Sequence, residues 1–419
     1  MQKSIGAALA IVAALGCAAP AAAVTGNARN GLRAMQELNV LVFQNFALNA
    51  GEVEGKTFVG GNLSGSNAQF AFGNSSQGEA TSTRSNLTVG GTITTQSAKI
   101  YNGSNGGAGL LSATPGARIG GSANELLLGA SNMTLSVGGA VAKLDAQAGS
   151  RTVIGGSASN VALTPSAQLD VLGNLTNISA STGVAIRVNG SISGNQNYNG
   201  ATHVSGPGST TSTPVSVATI AGEATQLLAD VRAAALALGN LTVVANPSTA
   251  SFDGNNFIFN AVAGSGGFAL FNINAASAGF HAATNVGFTG STAIPIIVNV
   301  RGLSTETFNF NFNSTAYNPS IIWNFLDAST INLTRGFHGS ILAPDAILNG
   351  PNTAIEGSIV ARLFSTNGEV HLGTYGRSVT IVPENVGAVP EPATWALLIT
   401  GFAMVGVARR RRNIVSVVA

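Results

Sequence analysis

The chain has 419 residues, 45% of them apolar and only 9% charged, against about 25% charged in ordinary domains. That much apolar content excludes a disordered chain, and the single Cys17 lies in the leader, so a disulfide framework is excluded too. Setting aside Lys3 and Arg409, Arg410, Arg411 and Arg412 leaves 14 basic against 17 acidic residues, a net of −3, so no basic surface for nucleic acid is expected.

Residues 1–23 read as a secretory signal peptide. Lys3 supplies the charged start, Ile5 to Leu15 the apolar segment, and Ala21-Ala22-Ala23 a small-residue site for signal peptidase, with Ala21 and Ala23 as the cleavage determinants. Asn30 to Met35 reads as a polar lead-in, and the β-prone Leu38 to Leu48 as an immediate entry into the core.

From Val59 onward an aliphatic residue followed by Gly-Gly recurs. The last glycine of each unit is Gly61, Gly91, Gly121, Gly139, Gly156, Gly173 and Gly190, in steps of 30, 30, 18, 17, 17 and 17 residues. A fixed period of this size signals a repeat architecture. Each unit holds too few short strands to bury a core alone, so neighbours must stack. The expected fold is all-β: a parallel β-helix of about 17–18 residues per coil. The glycines are read as coil corners that need either φ > 0 or close backbone approach. A phosphate-binding loop is excluded, since no unit carries the Lys-Ser/Thr of that motif or leads into a helix. The 30-residue steps are read as coils with outward loops.

Ser193 to Pro214 nearly lacks apolar residues and reads as a surface loop. Residues 217–238 form the one convincing helix: Ile220, Ala224, Leu227, Leu228, Val231, Ala235 and Leu238 keep helical spacing, with Ser216 or Thr219 to cap it. Its length of about 33 Å suits packing along the flank of the coil stack, with Glu223, Gln226 and Asp230 on the polar side. Strands resume from Leu241 to Leu372. Gly339-Ser340-Ile341 recurs as Gly357-Ser358-Ile359 after 18 residues, which favours one solenoid over two domains. Residues 374–388 read as a linker.

The C-terminal stretch has three parts: Val389-Pro390-Glu391-Pro392, an apolar run from Ala393 to Val407, and Arg409 to Arg412. The run is short for a bilayer span, which needs about 20 residues; with its basic stop it suits transient inner-membrane anchoring, leaving 413–419 as a cytoplasmic tail. Residues 389–412 resemble the PEP-CTERM sorting signal of Gram-negative bacteria. That resemblance implies an exosortase partner that removes the tail, and a mature protein at the outer surface or in an exopolysaccharide matrix.

Two segments of the body, Leu38 to Asn62 and Ile322 to Ser358, resemble the choice-of-anchor A domain. The second is also similar to ice-binding-type β-helices that carry a long helix beside the coils. The domain is placed at 24–373. The resemblance implies a secreted, adhesin-like protein that is no enzyme and needs no cofactor, with exopolysaccharide or another surface ligand as its partner. The strongest enzymatic alternative is a glycan-active cluster of Asp327, Arg335, His338, Asp345, Glu356, Arg362, Glu369 and His371 on one face. Ice binding would need a Thr or Ser ladder. Thr92, Thr94 and Thr95 suggest one rung, but Ser122-Ala123, Ala140-Val141 and Ser157-Ala158 break it. Four scattered histidines and no Asp-rich loop argue against zinc or calcium.

Overall fold

A computed structural model describes residues 24–73, 82–103, 112–243, 246–277, 279–312 and 315–380. Its strands stack in parallel, rung on rung. Alternation explains each rung: in Thr134–Val137 and Arg151–Ile154 the inward Leu135, Val137 and Ile154 are buried and enter one continuous core. Along one inward column Leu135, Thr152, Leu169 and Ile186 lie in register. The 30-residue steps are single coils, since Thr57, Leu87 and Ala117 pair directly.

The order of the rungs in space is not their order in sequence. Val40–Val42 pairs with Thr57–Val59 on one side and with Ile359, Val360 and Ala361 on the other. The chain therefore enters the stack in its middle. It runs outward to Thr202–Ser205 and returns through helix α2, Val217–Gly239. It then re-enters at the far end with Ala269–Asn274 and comes back rung by rung to meet its own start. The first returning coils are wider, 27 and 25 residues from Asn272 to Asn299 to Asn324. Aromatic rings fill them: Trp323 meets Phe259, Phe288 and Phe337 edge-on at 5.6–5.9 Å.

The first glycine of each corner pair carries the close approach. A Cβ added at Gly60, Gly90, Gly120, Gly138 or Gly155 would lie 2.1–2.4 Å from a carbonyl oxygen of the preceding coil. The second glycines form a backbone ladder, Gly91 N–H to Gly61 O at 2.8 Å and onward to Gly190. None of these corner glycines has positive φ, so that half of the expectation does not apply to them. The left-handed corner is elsewhere: Asn132, Gly149, Ser166, Gly183 and Gly200, at 17-residue steps, have φ of 58°, 69°, 62°, 73° and 72°. Asn, Gly and Ser tolerate that region, and no constant dipeptide marks it in the sequence.

Four further readings change. Asn30 to Met35, expected to be a polar lead-in, lie within helix α1 (Ala28–Glu37), capped by the Asn27 side chain, which accepts the Arg29 and Asn30 N–H groups. It crosses α2 so closely that a Cβ on Gly31 would be 2.3 Å from Asp230 O. The expected surface loop after Ser193 is instead the terminal coil, Ile192–Tyr198 and Thr202–Ser205. It faces water, so its inward positions need not be aliphatic: Gln196, Tyr198 and His203 follow Ile178, Ala180 and Ile186. Helix α2 lies on the flank as expected but is not polar outward. Asp230 is buried, accepting the Asn27 N–H at 2.7 Å, while Leu236 is 60% exposed. Residues 374–377 pack into the body, with Thr374 and Tyr375 buried and Gln36 Nε2 donating to Arg377 O at 2.9 Å.

Close approach and left-handed backbone make opposite demands. Gly90→Ala should lower stability by about 1–3 kcal/mol through steric overlap, whereas Ser166→Gly should not lower it. Denaturation midpoints of the two variants check this.

Candidate functional site

The structure divides the eight residues nominated as a glycan-active cluster. Glu356, Glu369 and His371 come together: His371 Nδ1 is 2.7 Å from Glu356 Oε1, and Nε2 is 2.9 Å from Glu369 Oε2. Parallel pairing puts them there, with His338, Glu356 and His371 on successive rungs. His338 turns its Nδ1 to Asn318 Oδ1 at 3.0 Å, and burial lowers its pKa. Glu54, which sequence reading did not single out, joins from the first coil, accepting the Leu372 N–H at 2.6 Å.

The other four residues are struts elsewhere. Asp345 pairs with Arg232 of α2, and Arg362 Nε donates to Asp345 O at 3.0 Å. Asp327 accepts the Gly302 N–H at 2.9 Å, and Arg335 reaches Asn309 and Asn311. Glu356 and Glu369 grip the same imidazole, so they do not flank an open cleft as a glycosidase pair would. Sequence reading also missed the hydrogen bond between His281 Nε2 and Glu306 Oε2 at 2.7 Å, with Glu306 turned into the coil and 1% exposed. Among the described residues, no group of three or more His, Cys, Asp or Glu side chains could hold a metal ion.

The hydrogen bond that His371 donates to Glu356 raises the His371 pKa to about 9, with burial opposing and Glu369 adding to the rise; the same bond lowers that of Glu356. A raised pKa means the cation is favoured by folding. The His371 contribution is therefore complete below its ordinary value near 6.5 and is lost as pH rises through about 9. At pH 7, His371→Gln should destabilise by about 1.5–3 kcal/mol, the range for charge-assisted bonds. The gap between variant and parent should close by pH 10, as read from denaturation midpoints.

The outward surface is organised in rows. Side chains directly after the corner glycines cap the next coil: Asn62 Oδ1 accepts the Thr92 N–H at 2.8 Å, Ser122 Oγ the Ala140 N–H at 3.0 Å, and Asn174 Oδ1 the Ser191 N–H at 3.0 Å. Thr92 is one of these corner posts, its Oγ1 accepting the Ser122 N–H at 3.4 Å. Two residues further on lies a separate row that runs most of the stack: Thr307, Asn332, Asn349, Ser365, Ala47, Ser64, Thr94, Asn124, Ala142, Ser159, Thr176 and Ser193. It offers a hydroxyl or amide at every step except Ala47 and Ala142. The side chains bond along the row, Asn349 Nδ2 to Asn332 Oδ1 at 2.8 Å and Thr176 Oγ1 to Ser193 Oγ at 3.3 Å.

A family model for an ice-binding-like adhesive domain matches residues 31–141 and 124–372. The chain belongs to this family. A second model, for the PEP-CTERM protein-sorting motif, matches residues 388–412. The match contains Val389 to Pro392 and Arg409 to Arg412; these residues, like Ala21 and Ala23, lie outside the described residues. An ice-binding-like adhesive domain followed by a PEP-CTERM motif makes this an exported, surface-associated protein with exosortase as its processing partner.

Among solved structures, an ice binding protein from an Antarctic bacterium, Flavobacteriaceae, is 13% identical, covering 84% of this chain and 98% of its own, with a TM-score of 0.21. The tapirin C-terminal domain of Caldicellulosiruptor kristjanssonii is 12% identical, covering 83% and 98%, with a TM-score of 0.25. No curated protein matches the sequence. No helix among the described residues is long and apolar enough to cross a membrane; the apolar run at 393–407 lies outside them.

Proposed function

We propose that this ice-binding-like adhesive chain is a non-enzymatic, adhesin-like structural protein of the outer surface or the exopolysaccharide matrix. The observation that carries the reading is the uncharged outward row. Its hydroxyl and amide groups repeat at the coil spacing of about 4.8 Å. A surface of that kind presents regularly spaced donors and acceptors to a repeating, hydroxyl-rich polymer. The residues nominated for catalysis are instead committed to ion pairs and to hydrogen bonds with backbone or Asn side chains.

In this account signal peptidase removes residues 1–23 after Ala23. The short apolar run then holds the chain in the inner membrane, with 413–419 inside, until exosortase acts at Val389-Pro390-Glu391-Pro392. The body at 24–373 is the part displayed, and its choice-of-anchor A resemblance fits a module that is attached by exchangeable tails.

Cells making the intact chain should carry mature protein at the exterior without Arg409 to Arg412, as read by mass analysis of its C-terminus. A version ending at Ala388 should be exported but not retained. Mature protein should also cosediment with exopolysaccharide purified from the producing cells. Retention of the four arginines in the inner membrane would refute the processing account. Shaping of ice crystals without any cosedimentation would turn the outward row into an ice-binding face.

A further inference from the structure

Toward the open end of the stack, a groove of about 490 Å³ crosses Ala158–Leu163, Leu175–Ala180 and Ile192–Tyr198. Its lining includes Asn160, Asn177, Ser179, Asn195, Gln196 and Asn197, and no charged side chain. The indentation has a backbone cause. Asn160, Asn177 and Gly194 stand two residues after the paired Ala158, Leu175 and Ile192, and their φ values are 50°, 57° and 74°. A left-handed residue inside a strand breaks the pleat and bends it.

Glycine meets that backbone demand without any side chain. Gly194 does so in the last coil, and Gly65 does so at the same place in an earlier one, with φ of 117°. The amides at 160 and 177 are therefore additional to what the fold requires. Asn177 Nδ2 donates to Asn160 Oδ1 at 3.0 Å, Asn160 Nδ2 donates to Ala142 O at 3.1 Å, and Asn177 Oδ1 accepts the Asn195 N–H at 2.9 Å. A primary amide has two N–H donors and two lone pairs. Each of these two side chains is left with one of each uncommitted among the described residues.

The amide patch is local. In the two coils nearer the middle, the same position holds Lys143 and Glu125, ion-paired at 2.9 Å. From Val188 to Gly222 the sequence has no Asp, Glu, Lys or Arg. Planar groups that donate and accept side by side match the vicinal hydroxyls of a sugar ring, and a surface without cations gives a uronic or sulfated polymer nothing to pair with. We propose that this groove binds a neutral polysaccharide chain laid across the last three coils. The proposal rests on the adhesive reading above and gives it a site and a ligand class.

The test uses the full chain with cellohexaose and dextran as neutral probes and polygalacturonate as the acidic one, by calorimetric titration at low and high salt. The expected result is binding of a neutral probe with little salt dependence. Asn160→Gly with Asn177→Gly keeps the left-handed backbone, so the variant should still fold, with its denaturation midpoint lowered only by the loss of three exposed hydrogen bonds. Its affinity should fall about tenfold, the loss from removing neutral hydrogen bonds. Asn197→Ala, a lining change at an exposed position, should also weaken binding. The groove is refuted by equal affinity in both variants, by binding of polygalacturonate alone, or by no binding of either neutral probe. If both variants still cosediment with the producer's exopolysaccharide as the parent does, the site is wrong and the adhesive reading stands. If the parent does not cosediment, the adhesive reading itself fails.

Discussion

The structure depends on one seam, where the beginning of the coiled body is inserted beside its end. Val40–Val42 sits between two strands as a central rung, so both of its edges are paired. Asn39 locks the junction from inside: its Nδ2 donates to Gly357 O at 3.0 Å and His371 O at 3.1 Å, and its Oδ1 accepts the Gly55 N–H at 3.0 Å. Ser358 Oγ adds a bond to Met35 O in α1. A buried amide with three bonds is costly to replace, because any apolar substitute orphans all three partners. The His371 cluster lies on the same seam, so its ionic bonds belong to closure rather than to an open catalytic cleft.

Closing the seam joins residues 318 apart in sequence. Contacts of that separation are slow to form, since loop closure must precede the reward. Helix α2 is what makes the path possible. It carries the chain from the last coil back past the middle, and its charged side chains tie to the coils: Glu223 to Arg118 at 2.6 Å, and Arg232 to Asp345. At its C-terminal end Asn299 Nδ2 donates to Leu238 O at 3.0 Å, and Asn324 Nδ2 to Ala235 O at 2.9 Å. Asn299 and Asn324 are buried and, with the exposed Asn272, form an amide ladder that meets the carbonyl end of the helix. That is the C-terminal satisfaction a helix requires.

Local features were legible in the sequence, and non-local ones were not. The Gly-Gly period follows from steric contact between neighbouring coils, so it appears as a repeating dipeptide. The spacing of Ile220, Leu227, Val231 and Leu238 marked α2 for the same reason: each makes a local choice of face. Pairing of Val40 with Ile359 is a backbone event that leaves no trace in either side chain, so the threading order was hidden. Helix α1 has few apolar residues in part because it meets α2 through a glycine, Gly31, set against Asp230 and Ala234. The left-handed corner is spelled Asn, Gly, Ser, Gly, Gly, a tolerance rather than a motif. Of the site, the carboxylates and histidines could be gathered as a group, but only register separates Glu356 and His371 from Asp345 and Asp327. The outward row went unseen because the search for a ladder began directly after the glycines, where side chains serve the corner. Seven of its members, Ser64, Thr94, Asn124, Ala142, Ser159, Thr176 and Ser193, lie three residues after those glycines.

The seam is the central claim, and a paired substitution reaches it directly. Ala47 and Ser365 are cross-strand partners on the outward face, and neighbouring parallel strands lie about 4.8 Å apart, within the reach of a disulfide. Ala47→Cys with Ser365→Cys, in a chain whose one natural cysteine is Cys17, should form an intramolecular disulfide in the folded protein. Non-reducing mass analysis of the peptides should show that bond in nearly every molecule. Free thiols at both positions in folded protein, or bonds only between molecules, would contradict the inserted first rung and place the start of the body elsewhere in the stack.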